Sequence, residues 1–247
     1  MKTTPLHSSL QELIERDYTF ARSLFYLGIP FEKRLGDALG EVLADYGISI
    51  EKFNRMVSES NAESFPGPAF FKRFKVDAII EYLKHAHYLY IKEKIPFISK
   101  LIQELPDTDK RTHDLKLVFP YVIEDFIKHI YHEEDSLFYY VLKLHAASIS
   151  PFNESVMLEV MNKYSIHRMF AHHQEDDDEM KGIRELTNNY ATEDISDIHL
   201  KLIYKELQAF EKELFIHACI ENEVLFPKAL ELEAKVAKYV AESLKEY

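Results

Sequence analysis

One long stretch of this chain is written twice. His129-Ile-Tyr-His-Glu133-Glu-Asp-Ser-Leu137-Phe138-Tyr-Tyr-Val-Leu142-Lys-Leu144 returns as His217-Ala-Cys-Ile-Glu221-Asn-Glu-Val-Leu225-Phe226-Pro-Lys-Ala-Leu230-Glu-Leu232, a shift of 88 residues. In a helix, residues four apart lie one above the other on the same face. Each copy therefore directs an imidazole and a carboxylate into one space, with Leu and Phe packing beyond them. Two such helices facing each other deliver two His and two Glu to one cavity, half or more of a buried metal site.

The rest of the chain suits long helices. It has 247 residues, 47% of them apolar, enough for a sizeable core, and only 6 glycines and 9 prolines. Turn-rich β architectures need more of both. The expected organisation is a small helical domain over 1–58, a linker over 59–70 containing Pro66-Gly67-Pro68, and a main domain over 71–247. In the opening part, Ser8 or Ser9 caps a helix carrying Leu10, Leu13 and Ile14. Gly28 and Gly47 end the next two helices, and Ser49 caps a short fourth.

Beyond the linker, four long helical patterns run over about 75–104, 113–147, 153–187 and 194–226, the last continuing past Pro227. Pro96 should kink the first. Short connections make an up-down-up-down four-helix bundle the simplest all-α fold.

A formal net charge of −12 with no Lys/Arg cluster argues against nucleic acid as a partner. No run of about 18 apolar residues suggests a membrane span, and Met1 to Leu13 lacks an export signal. Cys219 is the single cysteine, so no intrachain disulfide forms and a cytoplasmic location is expected.

A bundle-core metal site takes ligands from all four helices. His129 and Glu133 come from the second and His217 and Glu221 from the fourth. The third offers His172 or His173 and the first His85 or His87. His87 and His173 are 86 apart, His85 and His172 are 87 apart, and both intervals approach the 88 of the repeat, so spacing leaves both pairs open. The plainer explanation for each histidine is core-edge packing on an amphipathic helix; the shared Leu-Phe and Leu-x-Leu context weighs against it. Asp176 to Asp178 read as a solvated face. His132, His145, His167 and His199 read as surface or packing residues, and Tyr88, Tyr90 and Tyr131 as core.

Four imidazoles and two carboxylates exceed what one tetrahedral zinc takes. Shared between two ions they fit, with Glu133 and Glu221 bridging and an oxo or hydroxo group between the metals. Two Fe ions suit this mixed N/O set best, Mn and Zn less well. An open position on each would receive a small diatomic or peroxide. Two other metal motifs fail: no histidine has Glu three residues before it, as ferritin-like sites require, and His132-Glu133-Glu134-Asp135-Ser136 lacks the second His of a zinc protease.

The pattern resembles the hemerythrin-like bundle and, within it, the di-iron family named for repair of iron centres. That family places His on the first helix, His-x-x-x-Glu on the second, His on the third and His-x-x-x-Glu on the fourth. Here the positions are His87, His129 with Glu133, His173, and His217 with Glu221. Glu221-Asn-Glu-Val-Leu-Phe-Pro227 is close to the family's form, and Thr187-Asn188-Asn189 after the third helix favours His173. Ser9-Leu10-x-Glu12-Leu13-Ile14 and Ala21-Arg22-x-Leu24-Phe25-x-x-Leu27-Gly28-Ile29 resemble its small N-terminal domain, but Pro30-Phe31-Glu32-Lys33 stands where a paired-cysteine motif usually follows. Asp177 and Asn222 replace the residues by which oxygen-carrying hemerythrins bind. The resemblance implies a di-iron protein of the nitrosative and oxidative stress response that restores iron–sulfur proteins by donating iron or by NO and O2 chemistry. The alternatives are a diatomic-gas binding or sensing module and a purely structural helical protein.

Overall fold

The computed structural model describes residues 5–61, 66–106, 110–176 and 178–243, apart from the side chains of Asn61, His172, Gln174, Glu175 and Asp176. Among these residues the fold is all-helical, its β structure limited to one isolated bridge between Ser9 and Ala38. None of the described helices is long and apolar enough to cross a membrane. The chain divides into two compact units, one of Met1–Phe65, Ile95–Phe119 and Ile183–Phe210, the other of Pro66–Lys94, Pro120–Gly182 and Glu211–Tyr247. Residues 62–65 of the expected linker lie outside the described residues.

The first unit opens with α1 (Leu10–Arg16), α2 (Thr19–Tyr26), α3 (Leu39–Asp45) and α4 (Ile50–Asn61). Ser9 Oγ accepts from Glu12 N–H at 3.2 Å, and Ser49 Oγ accepts from Lys52 N–H at 3.2 Å, which satisfies amides that α1 and α4 leave open. Gly28 and Gly47 take φ of 75° and 63°, the left-handed turn that glycine adopts without strain. α1 and α4 both pack on α2. Arg22 in α2 pairs with Glu206 at 2.7 Å, both buried.

The second unit begins with α5 (Pro68–Phe71) and α6 (Val76–Leu89). Val76, Ile79, Ile80 and Leu83 are buried at helical spacing, and His87 continues that stripe. A π turn follows, Tyr90–Lys94, and then α7 (Ile95–Glu104), which belongs to the first unit. The same plan recurs twice: α8 (Lys110–Glu133), a π turn Glu134–Phe138 and α9 (Tyr139–Ile149); later α13 (Ile198–Ile220), a π turn Glu221–Leu225 and α14 (Phe226–Ser243). Two of the three π turns run into a proline at the second residue of the next helix, Pro96 and Pro227. A proline ring crowds the carbonyl four residues back. Widening the helix there accommodates it, so Pro96 sits beside a π turn rather than inside an otherwise regular helix.

The third helical pattern, expected as one helix over 153–187, is three: α10 (Glu154–Lys163), α11 (Ile166–Asp176) and α12 (Lys181–Leu186). Tyr164 is extended, with φ −115° and ψ 152°. Glu233 compensates the break: its Oε1 accepts the Ile166 amide at 3.1 Å and the Tyr140 hydroxyl at 2.7 Å. That long-range partner is invisible to helical periodicity. Within the unit, α14 packs along α9, α10 and α11, and α6 packs on α9. Their apolar faces meet in one cluster that includes Ile80, Leu83, Phe138, Val141, Leu144, Leu225 and Phe226.

Candidate metal centre

The buried stripes carry polar residues where an apolar side chain would ordinarily sit. His87 lies on α6, His129 and Glu133 on the last turns of α8, His173 on α11, His217 on α13, and Glu221 opens the π turn after it. His87, Glu133, His173, His217 and Glu221 are each at most 9% exposed, and the side chain of His129 is 28% exposed. All six belong to the second unit.

Ring nitrogens and carboxylate oxygens converge. His87 Nε2 lies 3.1 Å from His217 Nε2 and 3.4 Å from Glu133 Oε2. Glu133 Oε1 is 3.4 Å from His173 Nε2. Glu221 divides its oxygens between two helices: Oε1 stands 3.0 Å from His217 Nε2 and Oε2 stands 3.0 Å from His173 Nε2. Two groups result, each with its donor atoms within 4.8 Å of one another. The inner one is His87, Glu133, His217 and Glu221; the outer one is His129, Glu133 and His173. Glu133 belongs to both.

Electrostatics fit a site that gathers charge. Burial discourages protonation of His87, but the Glu133 and Glu134 carboxylates outweigh it and raise its pKa above the ordinary value. Burial would push the Glu221 carboxyl up, yet His217 and His173 hold it well below the usual range. Glu133 Oε1, Glu221 Oε1 and His217 Nδ1 have no hydrogen-bond partner among the described residues although they are buried. Unsatisfied buried acceptors are costly, and a cation between the imidazoles and carboxylates would satisfy the two oxygens at once. Ligand type and number fit one or two divalent ions of mixed N/O preference.

The outer group opens on a cavity of about 370 Å³ lined by His129, His132, Glu133, Ser136, Leu137, Tyr164, Met169 and His173. Its wall is apolar at Leu137 and Met169 and polar at His132 and Ser136. The inner group has a different setting. Phe138 stacks on the His87 ring at 5.6 Å and 11°, and the Tyr90 ring lies 5.9 Å from that of His217.

Of the alternatives left open by spacing, His87 is buried in the cluster while His85 is exposed and stacks with Tyr88 at 6.3 Å. His173 is in the cluster; the side chain of His172, like Asp176 and Asp177, lies outside the described residues. Tyr90 is buried as expected of a core residue, whereas Tyr88 and Tyr131 are exposed at 56% and 57%. His132 is exposed and lines the cavity.

Three features escaped the sequence. Glu134, next to a proposed ligand, hydrogen-bonds His87 Nδ1 at 2.9 Å. Glu179 stands 3.7 Å from His129 Nδ1. A π turn begins within three residues of His87, immediately after Glu133, and at Glu221 itself. Insertions of this kind concentrate at functional sites. The Pro96 and Pro227 signals marked two of them. No protein-family model matches the sequence.

Proposed function

We propose that this chain is a hemerythrin-like four-helix protein holding two iron ions, with His87, His129, Glu133, His173, His217 and Glu221 as ligands. The observation that carries the reading is the division of Glu221 and Glu133 between histidines of different helices. Glu221 reaches His217 and His173, and Glu133 reaches His87 and His173. Each of these carboxylates offers one oxygen to each of two imidazole sets, the arrangement that a pair of ions would use.

When bound, a pair of irons supplies one-electron redox chemistry and open positions for NO, O2 or peroxide. The chain's own residues do the rest. The imidazoles are held with nitrogens facing inward by burial in the helical stripes. The glutamates balance cationic charge in a dry environment where it would otherwise be costly. Leu137 and Met169 keep the outer approach apolar, which favours small uncharged molecules, and His132 and Ser136 at the same cavity offer hydrogen-bonding groups.

The physiological role we infer is protection or restoration of iron–sulfur proteins during nitrosative or oxidative damage. Iron analysis of protein made in iron-replete medium tests the centre: close to two ions per chain supports it, and well under one refutes it. Stopped-flow measurement of NO consumption with excess reductant then tests the role. Multiple turnovers support catalysis; a single stoichiometric binding event supports the gas-binding or sensing alternative, for which the cavity beside the outer group is the favouring observation.

A further inference from the structure

Glu134 plays a part the repeat does not announce. A neutral imidazole has one N–H and one lone pair, and the partner of one nitrogen decides what the other can do. His87 Nδ1 lies 2.9 Å from Glu134 Oε1. An ionised carboxylate only accepts, so the proton belongs on Nδ1. That leaves the lone pair on Nε2, the nitrogen facing Glu133 and His217.

The consecutive residues Glu133 and Glu134 thus straddle one ring, the first at Nε2 and the second at Nδ1. Successive residues of a regular helix point about 100° apart. The π turn that starts at Glu134 also brings Phe138 flat against the face of the same ring. One short segment therefore fixes both edges and one face of His87. The second oxygen of Glu134 faces Lys84 Nζ at 3.8 Å, one turn before His87 on α6.

His129 and His217 are held differently. Glu179 is 3.7 Å from His129 Nδ1, beyond hydrogen-bond range. His217 Nδ1 has no hydrogen-bond partner among the described residues. The two groups are therefore unequal: the inner one has a histidine held by a carboxylate and is buried, while the outer one includes the partly exposed His129 and faces the cavity.

We infer that Glu134 is a positioning residue which locks His87 as the Nδ1–H tautomer and makes the inner position the tighter of the two. The inference rests on the metal-centre reading above. Loss of such a partner lowers metal affinity about 10–100-fold.

The test is a Co²⁺ titration of metal-free, full-length protein, followed by ligand-field absorption and calorimetry. The wild type should show two binding events, the tighter being the one that His217→Ala abolishes. Glu134→Leu should weaken that event about 10–100-fold and leave the other unchanged. Glu134→Gln keeps an acceptor for Nδ1–H but not the charge, so it should fall between the two. Proton NMR of the Co²⁺ form adds a readout that a merely structural role would not move. A strongly shifted, slowly exchanging imidazole N–H should be present in the wild type and in Glu134→Gln, and lost in Glu134→Leu. Tight-site affinity and N–H resonance unchanged in Glu134→Leu would overturn the role of Glu134 while leaving the metal centre standing. No Co²⁺ binding by the wild type would overturn both.

Discussion

Lys94 Nζ lies 2.9 Å from Glu213 Oε1, and both side chains are buried. Lys94 closes the π turn that follows His87, and Glu213 sits one turn before His217. The ion pair therefore fastens together the two segments whose histidine Nε2 atoms meet at 3.1 Å.

Removing one partner of this pair strips a buried charge of its counter-ion at 2.9 Å. Lys94→Met should destabilise the protein by about 3–5 kcal/mol, read as a lower urea midpoint with an unchanged slope. The double variant Lys94→Met/Glu213→Leu should recover most of that loss, because an apolar pair of similar volume carries no desolvation cost. A single variant as stable as wild type would show that the pair does not pin these segments.

Metal content separates ligands from bystanders. His217→Ala should lose most of the bound metal, whereas His145→Ala on α9 should lose none. His217 belongs to the buried inner group and His145 belongs to neither group. Full occupancy in both variants, measured by elemental analysis of purified protein, would show the ligand set to be wrong.

Protonation of His87 should act in opposite directions on metal-free stability and on metal binding. The His87 pKa is raised above 6.5 in the fold, so its stabilising contribution is complete below 6.5 and is lost as pH climbs through the folded value. The Glu221 pKa is lowered below 4.5, so its contribution is present above 4.5 and is lost as pH falls through the folded value. Urea unfolding of metal-free protein should therefore show these two contributions together between about pH 4.5 and 6.5. Metal binding must displace the proton from His87. Affinity should accordingly rise with pH until pH passes the raised His87 pKa and then level off, with proton release below that point visible as a buffer-dependent binding heat.

The connection after α12 stores backbone strain. Asn188, Asn189 and Tyr190 take positive φ of 50°, 56° and 58°. Thr187 Oγ1 steadies them by accepting from Tyr190 N–H at 3.2 Å. A left-handed residue with a Cβ costs about 1–2 kcal/mol relative to glycine, less for asparagine. Asn189→Ala should lower Tm and Asn189→Gly should raise it slightly, by calorimetry. Equal effects would mean the turn relaxes to another conformation.

The all-helical fold, and the placing of His129 with Glu133 and of His217 with Glu221, were legible in the sequence because they depend on local periodicity. The spacing of His129 and Glu133, or of His217 and Glu221, fixes a shared helix face whatever lies opposite. The caps at Ser9 and Ser49 and the stops at Gly28 and Gly47 are likewise local chemistry. Sequence spacing did not choose between His85 and His87, since a helix turns about 200° over two residues and only packing says which side is interior. Neither did periodicity show the break at Tyr164, beyond which the Ile166 amide donates to Glu233, far along the chain. The three π turns shift the helical phase beside the site and depend on what each helix packs against. Above all, the straddling of His87 by Glu133 and Glu134 joins two helices that are distant in sequence. A pattern along one helix fixes which side chains share a face; only the packing of one helix against another decides which atoms meet.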